Sequence, residues 1–505
     1  MPVPATIAAG EQTKERVALP NGWKLLFGRQ FGQSVRRGGV GDLEFPLTSQ
    51  YFRYITICYV YPMTLNQQRE DSGSRLRELL RSNRSSGKGG SYAVCSAHPA
   101  VIEAAVQHPL EDGSVVLVES TSSQVNQFGG YTSLTPNEFA NFVYSSAKSA
   151  GLPAERVLLG GDHLGPFPWR HEASVSALSR ARELVHDCVL ARYQKIHLDA
   201  SMPCADDEKG ITERTVADRA AILCQAAEEA YRELPSGSPE PLYVVGTEVP
   251  APGGESVDAH SPVVTKAEDA HRTLETFRLA FEELGLSSAW ERVIALVVQP
   301  GVDFASNSIF DYDRAKTQLL SAALSKYPGI VFEAHSTDYQ SPQALARMVE
   351  DHFAILKVGP WLTFAFREAV WALSAIEREL FTTTSQRQIS HVREALEEAM
   401  LRDPAHWRSY YCGDEGEVRR DLTYGYSDRC RYYWNRPAVK EEMARLFDNL
   451  GEKPIPLTLI SQYLPLEYEA IRSGELQAVP ARMVQYHIRR VLRVYADACS
   501  VKQPA

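Results

Sequence analysis

Two histidines in this chain stand beside carboxylates at the ends of apolar runs: Asp162-His163, within Gly160-Gly-Asp-His-Leu-Gly-Pro, and Glu333-Ala-His335. Neutral imidazoles together with a carboxylate hold Zn²⁺ or Mn²⁺ and leave a position open for substrate. Glu248, in Glu248-Val-Pro-Ala-Pro-Gly-Gly-Glu255, is a third ligand or a catalytic base, and Glu255 reads as a helix-entry charge. There is no close His-x-x-x-His pair, so His163, His335 and Glu248 must come from separate strands. The alternative is that the histidines only hydrogen-bond within a core. Glycines on both sides of Asp162-His163 let backbone and ligand approach closely; a tight turn capped by the Asp is the other reading. Asp199, closing Lys195-Ile-His-Leu-Asp, adds a further candidate acid or base.

Other polar residues could bind rather than react. Gln124, Asn126 and Gln127 lie in an amide-rich loop, Ser122–Tyr131, whose paired donors and acceptors suit sugar hydroxyls, although amides also form turns. His98 and Gln299 end apolar runs of their own. Arg429 and Arg431, with Ser427 and the aromatic Tyr432-Tyr-Trp434, resemble an anion site, since guanidinium forks suit phosphate. A salt-bridged surface helix accounts for the same residues.

These groups need a scaffold that gathers them. From residue 91 onward eight short apolar runs recur, at 91–98, 115–121, 157–163, 195–201, 243–249, 293–301, 330–336 and 353–360. They are continuous rather than alternating, as in strands buried on both faces. Helical patterns follow them at 99–107, 135–149, 171–192, 212–233, 265–285, 312–326, 341–351 and 363–381. Eight alternating units predict a (β/α)8 TIM barrel, with an open doubly wound sheet as the alternative. In a barrel every strand's C-terminal end opens on one face, so His98, Glu119, Asp162, Asp199, Glu248, Gln299, Glu333 and Lys357 would share a rim. Lys357, ending the eighth run, falls where barrels commonly hold phosphate. The expected organisation is a poorly specified extension over 1–75, a barrel over 76–382, and a mainly helical C-terminal region over 383–505 packed on it.

Composition bounds the function. The chain has 505 residues, 53 Lys plus Arg against 63 Asp plus Glu, and a formal net charge of −10, which disfavours nucleic-acid or anionic-membrane binding. The 8 cysteines are scattered, as expected for reduced thiols in a cytoplasmic protein. No run approaches the roughly 20 apolar residues of a membrane helix. The first residues lack a secretory pattern; a transit peptide is the alternative, because residues 16–41 carry Arg and no acid.

The motifs in order, CSAHP (95–99), QVNQFGGYT (124–132), GGDHLGP (160–166), KIHLDASM (195–202), GTEVP (246–250), PGGE (252–255), QPGV (299–302), EAHSTDYQ (333–340), LKVGP (356–360), SDR with RYYW (427–434) and SQYLP (461–465), resemble the Z-type subunit family of tagatose-bisphosphate aldolase across about residues 76–498. The resemblance implies a class II aldolase-like barrel with a divalent metal, His163 as a ligand and Asp162 as the proton-transfer acid. It implies sugar-phosphate chemistry in tagatose or galactitol catabolism. Three activities go with the family: a metal-dependent C4 epimerase of tagatose 6-phosphate and fructose 6-phosphate, a non-catalytic stabilising subunit of the aldolase, and a tagatose 6-phosphate kinase. The kinase is least supported, since the chain has no P-loop and no kinase glycine loop. The partners open to it are a sugar phosphate, a class II aldolase catalytic subunit and further copies of itself. Phe167 stands where the family usually has Asn, and Cys204-Ala-Asp-Asp where it usually has Ala-Gly-Asp after the Cys. Both departures put the substrate contacts of those loops in question.

Overall fold

The computed structural model describes residues 71–207, 211–246, 262–381 and 388–500. Eight parallel strands form a closed barrel in chain order: β1 Ser91–Cys95, β2 Val116–Thr121, β3 Val157–Leu164, β4 Lys195–Leu198, β5 Leu242–Val245, β6 Val293–Val298, β7 Val331–Ala334 and β8 Phe353–Val358. β8 pairs back onto β1, with Ala93 set between Lys357 on one side and Leu117 on the other. The architecture is therefore the (β/α)8 barrel that the run spacing predicts. Most runs leave the sheet two or three residues before the expected end. β4, for instance, stops at Leu198 and β7 at Ala334, so Asp199 and His335 come immediately after their strands. The segment holding Glu248 and Glu255 lies outside the described residues.

Side chains alternate between the two faces of a strand, so residues two apart line the barrel interior in layers. The lowest layer is apolar: Leu117, Leu158, Val244, Ala295, Val331 and Ile355 pack with Leu76 and Leu80. Those two leucines belong to a helix, Ser72–Ser86, that begins inside the poorly specified extension expected over 1–75; Asp71 caps it by accepting the Gly73 and Ser74 N–H groups. The next layer up is charged. Glu119 follows Leu117 by two, Glu333 follows Val331 by two, and Lys357 follows Ile355 by two. The top layer is His197 and His335.

The outer helices follow local rules. Pro136–Ala150 opens with a capping box between Thr135 and Glu138, an arrangement of about 1 kcal/mol, and stops at left-handed Gly151. Beyond the barrel, six helices run from Val392–Arg402 to Pro480–Cys499 among the described residues. The last of them packs on Pro99–Gln107, Pro342–Glu350 and Pro360–Phe381, and its Cys499 carbonyl accepts the Gly90 N–H just before β1. This helix is thus part of the barrel's outer ring.

His487 on that helix bonds Glu467 at 2.8 Å and lies 3.3 Å from Glu368. Burial alone would lower its pKa, but the two carboxylates push it up to about 9. A raised folded-state pKa gives a contribution complete below about pH 6.5 and lost as pH rises through 9. Urea midpoints measured from pH 6 to pH 10 should fall over that window, and His487→Gln should remove this component of the decline.

Candidate metal and substrate site

Asp162 and His163 are adjacent in β3, and regular alternation would send one of them out of the barrel. The structure brings both to the mouth. The β3–β4 register shifts between Gly161 and Leu164, and His163 takes a left-handed φ of 47°. A non-glycine residue there costs on the order of 1 kcal/mol or more and persists where the surroundings enforce it. Gly165 makes the bend possible, because a Cβ on it would stand 1.5 Å from the Asp199 carbonyl oxygen. Ser336, next to His335, is likewise left-handed at 52°.

Asp162, His163, His197 and His335 are all buried, and one donor atom from each lies within 4.8 Å of all the others. His163 Nδ1 meets Asp199 Oδ2 at 2.6 Å, and His335 Nε2 meets Glu333 Oε1 at 3.1 Å. Those carboxylates turn the opposite nitrogens, His163 Nε2 and His335 Nδ1, toward each other at 3.1 Å. Two imidazoles oriented by carboxylates, with their free nitrogens this close, suit a shared cation at about 2.0–2.1 Å from each. His197 Nε2 is buried with no hydrogen-bond partner. Ser201 donates to Asp199 through both its hydroxyl and its N–H, which fixes that carboxylate.

Charge balance points the same way. Beneath the imidazoles Lys195 Nζ lies 2.6 Å from Glu119 and 2.7 Å from Glu333, with all three side chains at 0% exposure. Lys357 contacts Glu119 and lies 2.9 Å from Asp162 and 3.4 Å from Glu333. In their ordinary forms Asp162, Asp199, Glu119 and Glu333 carry four negative charges against two on the lysines. The remaining two match a divalent cation. The titration directions reflect the same excess: burial would lower His163, yet Asp162 and Asp199 push it up to about 9. Burial would raise Asp162, but the surrounding imidazoles hold it well below the usual carboxylate range. Burial pushes His335 down, toward the neutral form a metal requires. The residues fit a divalent cation.

The remaining expected site residues fall in different places. Lys357 is turned into the barrel among three carboxylates, not toward an open phosphate position. Gln124 spans the ends of β1 and β2: its Oε1 accepts the Thr121 N–H and its Nε2 lies 3.5 Å from the Cys95 carbonyl. Asn126 closes its own loop, accepting the Phe128 and Gly130 N–H groups. Gln127 donates to the Arg180 carbonyl on a flanking helix, and Gln299 accepts the Gly301 and Val302 N–H groups of a turn. His98 is half-buried at a helix start, its ring 4.2 Å from that of Phe366 and its Nδ1 enclosed without a partner. Phe167 opens a short helical turn and stacks under Arg170. In the other departing loop Asp207 holds the buried Arg219 with two bonds. Two central residues were not singled out from sequence, Lys195 and His197. Their signal was the period of two in Lys195-x-His197-x-Asp199, which puts all three on one face.

A closed (β/α)8 barrel with a buried His/Asp centre at the C-terminal mouth defines a barrel protein fitted to hold a divalent cation. The chain belongs to the D-tagatose-1,6-bisphosphate aldolase subunit GatZ/KbaZ-like family, whose model matches residues 76–500. Among solved structures it is similar to a probable tagatose 6 phosphate kinase from Sinorhizobium meliloti 1021, at 42% identity and a TM-score of 0.74, over 81% of this chain and 100% of that one. It also matches a fructose-bisphosphate aldolase from Campylobacter jejuni at 13% identity and a TM-score of 0.38, over 75% of this chain and 95% of the other. That second likeness is too slight to support any inference about this chain.

Proposed function

We propose that this chain is a sugar-phosphate enzyme of tagatose metabolism that interconverts D-tagatose 6-phosphate and D-fructose 6-phosphate by inversion at C4. The observation that carries the reading is the buried convergence of Asp162, His163, His197 and His335 at the barrel mouth. C4 bears a hydroxyl β to the C2 carbonyl, so it can be inverted by retro-aldol cleavage and re-addition. Asp162 takes the C4 hydroxyl proton, the C3–C4 bond breaks, and its electron pair passes to the C2 carbonyl. The three-carbon aldehyde turns over, C3 attacks its opposite face, and Asp162 returns the proton to the C4 oxygen. A divalent cation, Zn²⁺ or Mn²⁺, held by His163, His197 and His335, supplies the Lewis acidity that such enolate chemistry needs. Glu248 is a further candidate for the ligand set. Asp199 and Glu333 act behind the ligands, holding the His163 and His335 rings.

The second reading is a non-catalytic partner of the class II aldolase catalytic subunit, favoured by the subunit description of the family. Incubating the purified chain with tagatose 6-phosphate and Mn²⁺ or Zn²⁺ separates the two. Epimerisation yields fructose 6-phosphate without any second protein. No product, together with a gain in activity or melting temperature of an added aldolase subunit, establishes the partner role instead. A kinase reading draws on no observed feature, since the chain carries no P-loop.

A further inference from the structure

With Lys357 committed to Glu119, Asp162 and Glu333, the mouth needs another seat for an anionic substrate end. The described residues offer one. Arg429 is 3% exposed, and its Nε and Nη2 have no hydrogen-bond partner. Its guanidinium lies against the Tyr410 ring, and its Nη1 reaches the Tyr432 hydroxyl at 3.2 Å. Arg431 Nη2 reaches the same hydroxyl at 3.0 Å, while its Nη1 bonds the Ser427 and Asp428 carbonyls. No carboxylate pairs with either guanidinium among the described residues. The nearby Asp428 carboxylate is taken by Arg367 at 2.9 Å and Thr363 at 2.6 Å. A buried guanidinium without a counter-ion is expensive unless a ligand supplies the charge.

The loop carrying this pair is held in place. Asp428 sits at a left-handed φ of 45°, and Arg367, from the helix that follows β8, bonds its side chain and the Thr423 carbonyl. The pair also borders the mouth. The Tyr131 ring lies 4.6 Å from the Tyr432 ring, and the next residue, Thr132, donates its hydroxyl to the carbonyl of Gln124, whose side chain ties down the ends of β1 and β2. Burial would raise the Tyr432 phenol, yet Arg431 and Arg429 hold it below its ordinary value, as an unbalanced positive field does.

We propose that Arg429 and Arg431, with the Tyr131 and Tyr432 hydroxyls, seat the phosphate-monoester end of the substrate, so that the enzyme acts on ketose phosphates and not on free ketoses or sugar acids. Two guanidiniums balance a phosphate dianion, whereas a carboxylate would leave one positive charge over. The inference rests on the ketose reading above for its substrate, but the anion seat is tested without turnover.

The test is calorimetry on the full chain with inorganic phosphate, acetate and tagatose 6-phosphate, comparing wild type with Arg429→Met, Arg431→Met and the milder Arg429→Lys. Wild type should bind phosphate and tagatose 6-phosphate but not acetate. Each Met variant should lose about tenfold or more in phosphate affinity, and Arg429→Lys less, since Lys lacks the planar fork. Divalent-metal binding measured on the same samples reports that the barrel is intact; if a Met variant misfolds, Arg429→Lys alone decides. Unchanged phosphate affinity in folded variants, or equal binding of acetate, overturns the proposal. Arginine-dependent phosphate binding without any turnover supports the seat while refuting the epimerase. Turnover of free tagatose at rates indifferent to both arginines does the reverse.

Discussion

Asp162→Asn should lower turnover of tagatose 6-phosphate by about 10³-fold, within the range that a positioned acid–base group contributes. The substitution keeps the shape of the side chain. It also keeps an oxygen for Lys357, which lies 2.9 Å away, and leaves the backbone bend at His163 untouched. Loss of the buried charge should lower the melting temperature, so turnover is compared in folded protein, where the loss should appear in kcat rather than in KM, because proton transfer and not binding is removed. Metal content measured on the same protein separates two roles for Asp162. A variant that keeps its cation but loses turnover identifies a base, and one that loses both identifies a ligand. Wild-type kcat in a fully metal-loaded variant would take Asp162 out of the mechanism.

Lys195→Met should be the most destabilising single change in the barrel interior, at about 3–5 kcal/mol, the usual effect of removing one partner from a buried ion cluster. Lys195 lies between Glu119 and Glu333, and all three side chains have no exposure to water. Without the ammonium two carboxylates face each other across a low-dielectric layer, with only Lys357 left to bridge them. An unfolding free energy, measured in urea, that falls by less than about 1 kcal/mol would mean that this layer is not charged as described. Adding Glu119→Gln to Lys195→Met should recover part of the loss, since it removes one of the stranded charges. The paired experiment also bears on function. Glu333 holds the His335 ring, so a Lys195 variant that still folds should bind a divalent metal more weakly.

The barrel was legible because its strands are continuous apolar runs and its helices carry caps, both local properties of the chain. Two kinds of information were not local. The Ser72–Ser86 helix has polar and basic residues through most of its length, and only Leu76 and Leu80 reach the apolar floor, so it has little hydrophobic pattern to detect. The last helix was recognisable as a helix, but its place in the outer ring depends on contacts with helices far away in the sequence, Pro99–Gln107 among them.

The site divides in the same manner. Asp162, His163, His335 and Asp199 were found because they end strands, and the structure brings them together. Lys357 also ends a strand, but its direction is set by three carboxylates from β2, β3 and β7, which no spacing within its own segment reveals. Asn126, Gln127 and Gln299 have the chemistry to bind sugar hydroxyls, yet their side chains satisfy nearby backbone groups. Lys195 and His197 were visible in the alternation of β4, where an apolar run carries polar residues at every second position.

The central claim is that imidazoles from β3, β4 and the segment just after β7 share one divalent cation. The most direct measurement is elemental analysis of the purified chain, joined to an anomalous-difference map from its crystals. The account predicts one Zn²⁺ or Mn²⁺ per chain, with density touching His163, His197 and His335, and loss of that metal in His163→Ala. Crystals grown with excess Zn²⁺ or Mn²⁺ that show no anomalous peak between those three rings would contradict it.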